Sequence, residues 1–119
     1  MEALIDWLPR VGAILLVILG LVGFFKPTLI TNGQQIALNS KMALSEARVA
    51  FGGLHLGAGI MALVLHEPLV YITLGVGWLF GLFARFYSML ADKTSGKESA
   101  PGIFVDGLMA FLFLSGLIL

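Results

Sequence analysis

The sequence predicts an all-α protein, a four-helix transmembrane bundle, and three observations carry that expectation. Of 119 residues, 59% are hydrophobic and only 12% are charged. The mean hydropathy is +1.00. The apolar residues also gather into four runs, each at or near the length that crosses a bilayer. Soluble domains carry about 25% charged residues. With so few charged groups, polar side chains cannot cover the exterior of a folded monomer, so most of that exterior must face hydrocarbon.

The first run, Val11 to Phe25, follows Trp7, Pro9 and Arg10 and is closed by Lys26-Pro27. A helix over 7–25 has about 19 residues, enough to span. Glu2 and Asp6 make the start of the chain acidic, and no small-x-small site follows Phe25, so this run reads as a retained span and not a cleaved leader. From Thr28 to Lys41 the residues are those of turns, Asn32-Gly33, two glutamines and Asn39-Ser40, with at most a short interfacial helix at Gln35 to Leu38. The second and third spans are expected over about 42–65 and 69–90. His66-Glu67-Pro68 between them is so short that the two helices must be antiparallel neighbours. Proline is harmless in a helix's first turn, where its missing N–H would have no partner. Asp92 to Gly102 is the one strongly polar stretch, and Thr94 to Lys97 within it reads as a flexible polar loop. The fourth span follows over 103–119, about 17 residues, the lower limit for crossing.

Seven basic and seven acidic residues give a net charge of zero, with no basic tract, so nucleic-acid binding has no electrostatic footprint. The absence of cysteine removes disulfides, thiol redox chemistry and thiolate nucleophiles or ligands together. Lys26, Lys41, Arg48, Arg85, Lys93 and Lys97 all fall at the helix ends that hold the two long loops, and only Arg10 falls on the other side. By the positive-inside rule both long loops are expected in the cytoplasm and both termini outside.

Five ionisable residues lie inside or at the edges of the spans: Glu46, Arg48, His55, Arg85 and Asp106. Charge at membrane depth is costly unless paired or wetted. At about 1.5 Å per residue, Glu46, Arg48, Arg85 and Asp106 sit within roughly 10 Å of one interface. Two acids and two bases at one depth read as a neutralised intramembrane network. Arg85 is expected to pair with Asp106 across the antiparallel third and fourth helices, and Arg48 with the remaining carboxylate. At about 100° per residue, Arg48, Gly52, His55 and Gly59 share one face of the second helix, and Glu46, Gly53 and Gly57 the other. The bland reading makes the pairs register staples, with arginines snorkelling to the nearby interface. The functional reading makes them a polar cavity for a head group, an anion or a proton, with His55 nearest mid-bilayer. A metal site is not expected, because His55 and His66 stand eleven residues apart on one helix, at opposite depths.

Fifteen glycines mark helix faces for close approach, with Gly52, Gly53, Gly57, Gly77 and Gly81 as the packing positions of the second and third helices and Gly12, Leu16, Leu19 and Gly23 as a stripe on the first. Thr94-Ser95-Gly96-Lys97 lacks the upstream glycine and following hydroxyl of a phosphate-binding loop. Ser45, Ser88 and Ser115 have no histidine and carboxylate placed to activate them, so no catalytic residues are assigned.

Ser45-Glu46-Ala47-Arg48-Val49-Ala50-Phe51-Gly52-Gly53-Leu54-His55-Leu56-Gly57, followed by Gly81-x-x-x-Arg85 and an acid in the last helix, resembles the uncharacterised small four-helix bacterial membrane proteins distantly akin to the DoxX-like group. Glu46, Arg48, Gly52, Gly53, Gly81 and Arg85 match that pattern in place, whereas Asp106 stands where the family usually has glutamate. The resemblance covers most of the chain and implies a fold and a bacterial inner-membrane location, but no activity. The sequence therefore points to a non-enzymatic accessory or scaffold subunit without cofactor, whose partners are the lipid bilayer and either a second copy of itself, as a homo-oligomer, or another membrane protein. The alternative is a transporter or a small-ligand or lipid-binding protein that uses the charged cluster.

Overall fold

The computed structural model describes residues 2–119, with side chains from Asp6 onward; the Glu2 carboxylate, part of the acidic start, lies outside that range. The chain is all-α. Its helices are α1 (Glu2–Phe25), the single turn α2 (Thr28–Thr31), α3 (Lys41–Ala47), α4 (Leu54–Leu65), α5 (Pro68–Ala91) and α6 (Gly96–Ile118), with a π-helical segment, Arg48–Gly53, joining α3 to α4. Four stretches are long and apolar enough to cross a membrane: Asp6–Phe25, Lys41–Leu65, Pro68–Ala91 and Gly96–Ile118. The residues form two compact units, one of the segment ending at Gly12 together with Glu67–Leu119, the other of Ala13–His66.

In the first unit α5 and α6 make an antiparallel hairpin. Residues early in α5 meet residues late in α6: the Tyr71 and Phe113 rings stack with centroids 6.2 Å apart, and Gly75 gives way to the Leu114 side chain. Phe113, Met109 and Ser115 are buried here, and Ser115 satisfies its hydroxyl by donating to the Leu112 carbonyl at 2.9 Å. Gly12, at the end of the α1 segment in this unit, lies against Leu112 and Phe113.

α6 starts earlier than the apolar run does. Ser95 caps it, its hydroxyl accepting from the Glu98 N–H at 3.0 Å while the Glu98 carboxylate accepts from the Ser95 N–H at 2.8 Å. This reciprocal box satisfies two donors that a helix start otherwise leaves bare. The fourth span is therefore 23 residues and not 17, and Thr94 to Lys97 is a helix boundary and not a flexible loop. Pro101 is tolerated inside α6, where the one hydrogen bond it forgoes is near the helix start.

In the second unit the close approaches run backbone to backbone. A methyl on Gly23 would collide with the Phe51 carbonyl, and one on Gly52 with the Phe24 backbone. Gly20 meets the Leu56 backbone, and Gly59 meets Val17 and the Ala13 carbonyl. Gly52 and Gly59, expected on one face, thus both face α1. Where helices cannot gain by leaving water, such contacts are what brings them together.

Two local readings are corrected. The helical turn after the first span lies at Thr28–Thr31, not at Gln35 to Leu38, because Pro27 pre-sets the backbone and the Thr31 and Asn32 N–H groups close back on Pro27 and Thr28. The second span is not uniformly α-helical: within Arg48–Gly53 the ladder slips to five-residue spacing, and Leu54 N–H bonds the Val49 carbonyl. α3 is capped by Ser40, which accepts from Ala43 N–H at 3.0 Å, and α4 ends on His66 in the left-handed conformation, φ 46°.

Candidate functional site

Arg85, on the last third of α5, sends its guanidinium across to α6, where Nε donates to Asp106 Oδ2 at 2.7 Å. This is the pair expected from helix facing. The Asp106 side chain is 9% exposed and that of Arg85 is 30% exposed, so the carboxylate is the inner partner and the arginine the outer. Gly102 makes the crossing possible. A methyl there would overlap Cζ, Nη1 and Nε of Arg85, so the guanidinium lies where a side chain of α6 would otherwise stand. Gly102 and Asp106 are four residues apart, one helical turn, and share a face.

Beside the guanidinium opens a cavity of about 300 Å³ lined by Gly81, Ala84, Arg85, Ser88, Thr94 and Ser99. Ser88 donates to Asp92 Oδ2 at 2.7 Å. Ser99, buried, donates to Thr94 Oγ1 at 3.3 Å. Arg85 uses Nε alone, and its two terminal nitrogens make no hydrogen bond among the described residues. Sequence reasoning set Ser88 aside as a nucleophile and Thr94 as part of a phosphate-binding loop, and passed over Ser99. Two spacings point to them: Ser88 follows Arg85 by three positions, and Ser99, Gly102 and Asp106 fall at intervals of three and four, so each set shares a helical face.

The other expected members of the cluster lie in the second unit and behave differently. Among the described residues of its unit Arg48 pairs with no carboxylate. Its Nη1 donates to the carbonyls of Phe24 and, at 3.2 Å, Phe25. These belong to the last turn of α1, where carbonyls have no helical partner and the helix dipole is negative. Glu46, two positions away and exposed, forms no ion pair among the described residues. Arg85 and Asp106 thus pair in one unit, and Arg48 caps a helix end in the other. His55 Nδ1 lies 2.8 Å from the Ala50 carbonyl, and since a carbonyl only accepts, that nitrogen carries the proton. The Phe51 ring is its neighbour, with centroids 6.4 Å apart.

The expected packing glycines also divide. Gly52 is a close-approach position, but a methyl on Gly57, Gly77 or Gly81 would meet nothing within 4 Å, and on Gly53 only the Arg48 carbonyl at 4.0 Å. Helix contact inside each unit falls on Gly12 and Gly23, both in the stripe expected on the first helix, and on Gly20, Gly59, Gly75 and Gly102, because a packed glycine is set by which neighbour arrives and not by spacing alone. No family model, curated protein or solved structure matches the chain.

Proposed function

We propose that the chain is a multi-pass integral membrane protein that acts without catalysis, as a self-associating or accessory subunit. The observation that carries this reading is the pair of glycine faces left uncovered, Gly53 with Gly57 and Gly77 with Gly81. Glycine destabilises a helix interior by about 1 kcal/mol relative to alanine, and lipid gains nothing from its lack of a side chain. Small residues four apart are useful where another helix comes close. Burial agrees in direction: 11% of the Pro68–Ala91 window and 17% of the Lys41–Leu65 window are buried, against 39% for Gly96–Ile118.

The chain's lack of cysteine makes the test clean. Ile60→Cys, three positions beyond Gly57, and Phe80→Cys, three beyond Gly77, are oxidised in native membranes, with the buried Ala62→Cys as control. A disulfide-linked dimer from at least one exposed position, weakened by Gly57→Ile or Gly77→Ile, is the expected result. If both exposed positions stay monomeric under conditions that link a known membrane dimer, the self-association reading fails.

The orientation belongs to the same proposal: both termini outside, both long loops in the cytoplasm, in a bacterial inner membrane, on the strength of the six-to-one basic asymmetry. Thr94→Cys should resist an impermeant thiol reagent in intact cells and react after lysis, while His66→Cys reacts in both. Labelling of Thr94→Cys from outside reverses the topology. A second reading, a ligand-binding membrane protein, is favoured by the cavity beside Arg85. His55 is not among the residues that line it, which favours a binding pocket over a conduit through mid-bilayer.

A further inference from the structure

We propose that the cavity bounded by Arg85, Ser88, Thr94 and Ser99 is a binding site for a phosphate oxyanion, carried either by a lipid head group or by a free phosphate.

The guanidinium is the first ground. An arginine present only to neutralise Asp106 gains most by closing on the carboxylate with two parallel N–H donors. Arg85 engages it through Nε at 2.7 Å and leaves both terminal nitrogens uncommitted among the described residues. Asp106, nearly enclosed, holds the guanidinium at Nε and leaves the terminal pair as the outer end. Such a fork suits two oxygens of one phosphate, and arginine stays charged at any physiological pH.

The hydroxyl groups are the second ground. Ser88 has spent its proton on Asp92 and Ser99 its proton on Thr94. Thr94 accepts that bond, so its own O–H is left to donate, and it lines the same cavity as the guanidinium. A tetrahedral phosphate can take the arginine fork on one edge and a hydroxyl on another, where a flat carboxylate has only two oxygens to share. The acids nearby are held elsewhere: Asp92 receives Ser88, and Glu98 receives the Ser95 N–H. Lys93 and Lys97 flank Thr94 in the chain and match the charges of Asp92 and Glu98.

The third ground is space. Gly81 and Ala84 line the cavity and Gly102 admits the guanidinium, so small residues keep open a volume of about 300 Å³, the lower end of the range of small-molecule sites. The site lies where α5 ends and α6 begins, at the polar boundary of two membrane-length helices and not in mid-span, which is the depth of phosphate groups in a bilayer.

The experiment uses the full chain in maltoside micelles and follows thermal unfolding by the fluorescence of Trp7 and Trp78. Phosphatidylglycerol is compared with monoolein, which has the chain but no phosphate, and inorganic phosphate with chloride at equal ionic strength. A ligand that binds only the folded state raises the midpoint, here by about 4 °C once it is several-fold above its dissociation constant. The variants are Arg85→Lys, which keeps charge but loses the fork, and Thr94→Val with Ser99→Ala, which leaves the Arg85–Asp106 pair untouched. Both should lose at least half of the shift, and the second should melt close to the wild type without ligand. A shift with phosphatidylglycerol alone identifies a head-group site, and one with inorganic phosphate as well identifies a site for free phosphate. No shift with either phosphate source overturns the proposal, as does a full shift retained by either variant. Should Arg85→Lys not fold, the hydroxyl variant decides. Cysteine cross-linking through Ile60, weakened by Gly57→Ile, uses no residue that lines the cavity, so its result separates failure of the self-association reading from failure of this site.

Discussion

At the scale of single residues, the Arg85–Asp106 contact is the feature with the largest predicted energetic signature. Removing one partner of a fully buried pair costs about 3–5 kcal/mol, whereas an exposed pair is worth about 0–1 kcal/mol. With Asp106 nearly enclosed and Arg85 partly open, Asp106→Asn should destabilise the detergent-solubilised protein by about 2–3 kcal/mol. Asp106→Asn with Arg85→Gln should cost less than Asp106→Asn alone, since no charge is then left uncompensated. Thermal unfolding of the two single variants and the double variant measures the coupling, and small additive effects would show the pair to be a surface contact. This pair was legible in the sequence because two ions at one depth on consecutive antiparallel spans have few other partners. The partner of Arg48 was not, because backbone carbonyls at a helix end carry no mark in the sequence. The donor that caps them comes from a span beginning some sixteen residues after α1 ends.

At the scale of the element, the second span shows what helical periodicity can and cannot reveal. Length and hydropathy give its existence, and the wheel correctly gathers Gly52 and Gly59 on the face toward α1. The π-helical turn between Arg48 and Gly53 is invisible to a fixed angle per residue, yet it coincides with the Arg48-x-x-x-Gly52-Gly53 motif. Such turns are rare and recur at functional sites. Glycine spacing alone likewise failed to separate packed glycines from open ones. Substitution does separate them. Gly23→Ala, which drives a methyl into the Phe51 carbonyl, should cost about 1–3 kcal/mol or more because backbone cannot step aside. Gly57→Ala, which meets nothing, should leave monomer stability unchanged or raise it by up to about 1 kcal/mol. Melting temperatures of the two variants in detergent check this, and equal losses would mean that Gly57 is packed within the protomer.

At the scale of the whole molecule, composition decides most of what is seen: with so little charge, the chain can only be four apolar helices with polar connections. The helix ends escaped that reasoning. Ser95 and Glu98 start α6 seven residues before the apolar run, because a capping box can outbid a polar composition. That extension also assembles the cavity, since Thr94 and Ser99 face Arg85 only when the first turn of α6 is wound. A disordered loop would have left the guanidinium with Asp106 alone. The site therefore depends on local capping chemistry that hydropathy does not register.

The same extension bears on membrane thickness. All of α6 is about 35 Å long at 1.5 Å per residue, longer than a hydrocarbon layer of about 30 Å. A helix longer than the hydrocarbon layer is accommodated by tilt or by leaving one end in the polar boundary. In a bilayer the capped, polar start of α6 would take up that excess, which would set the Arg85 cavity at the level of the lipid phosphates.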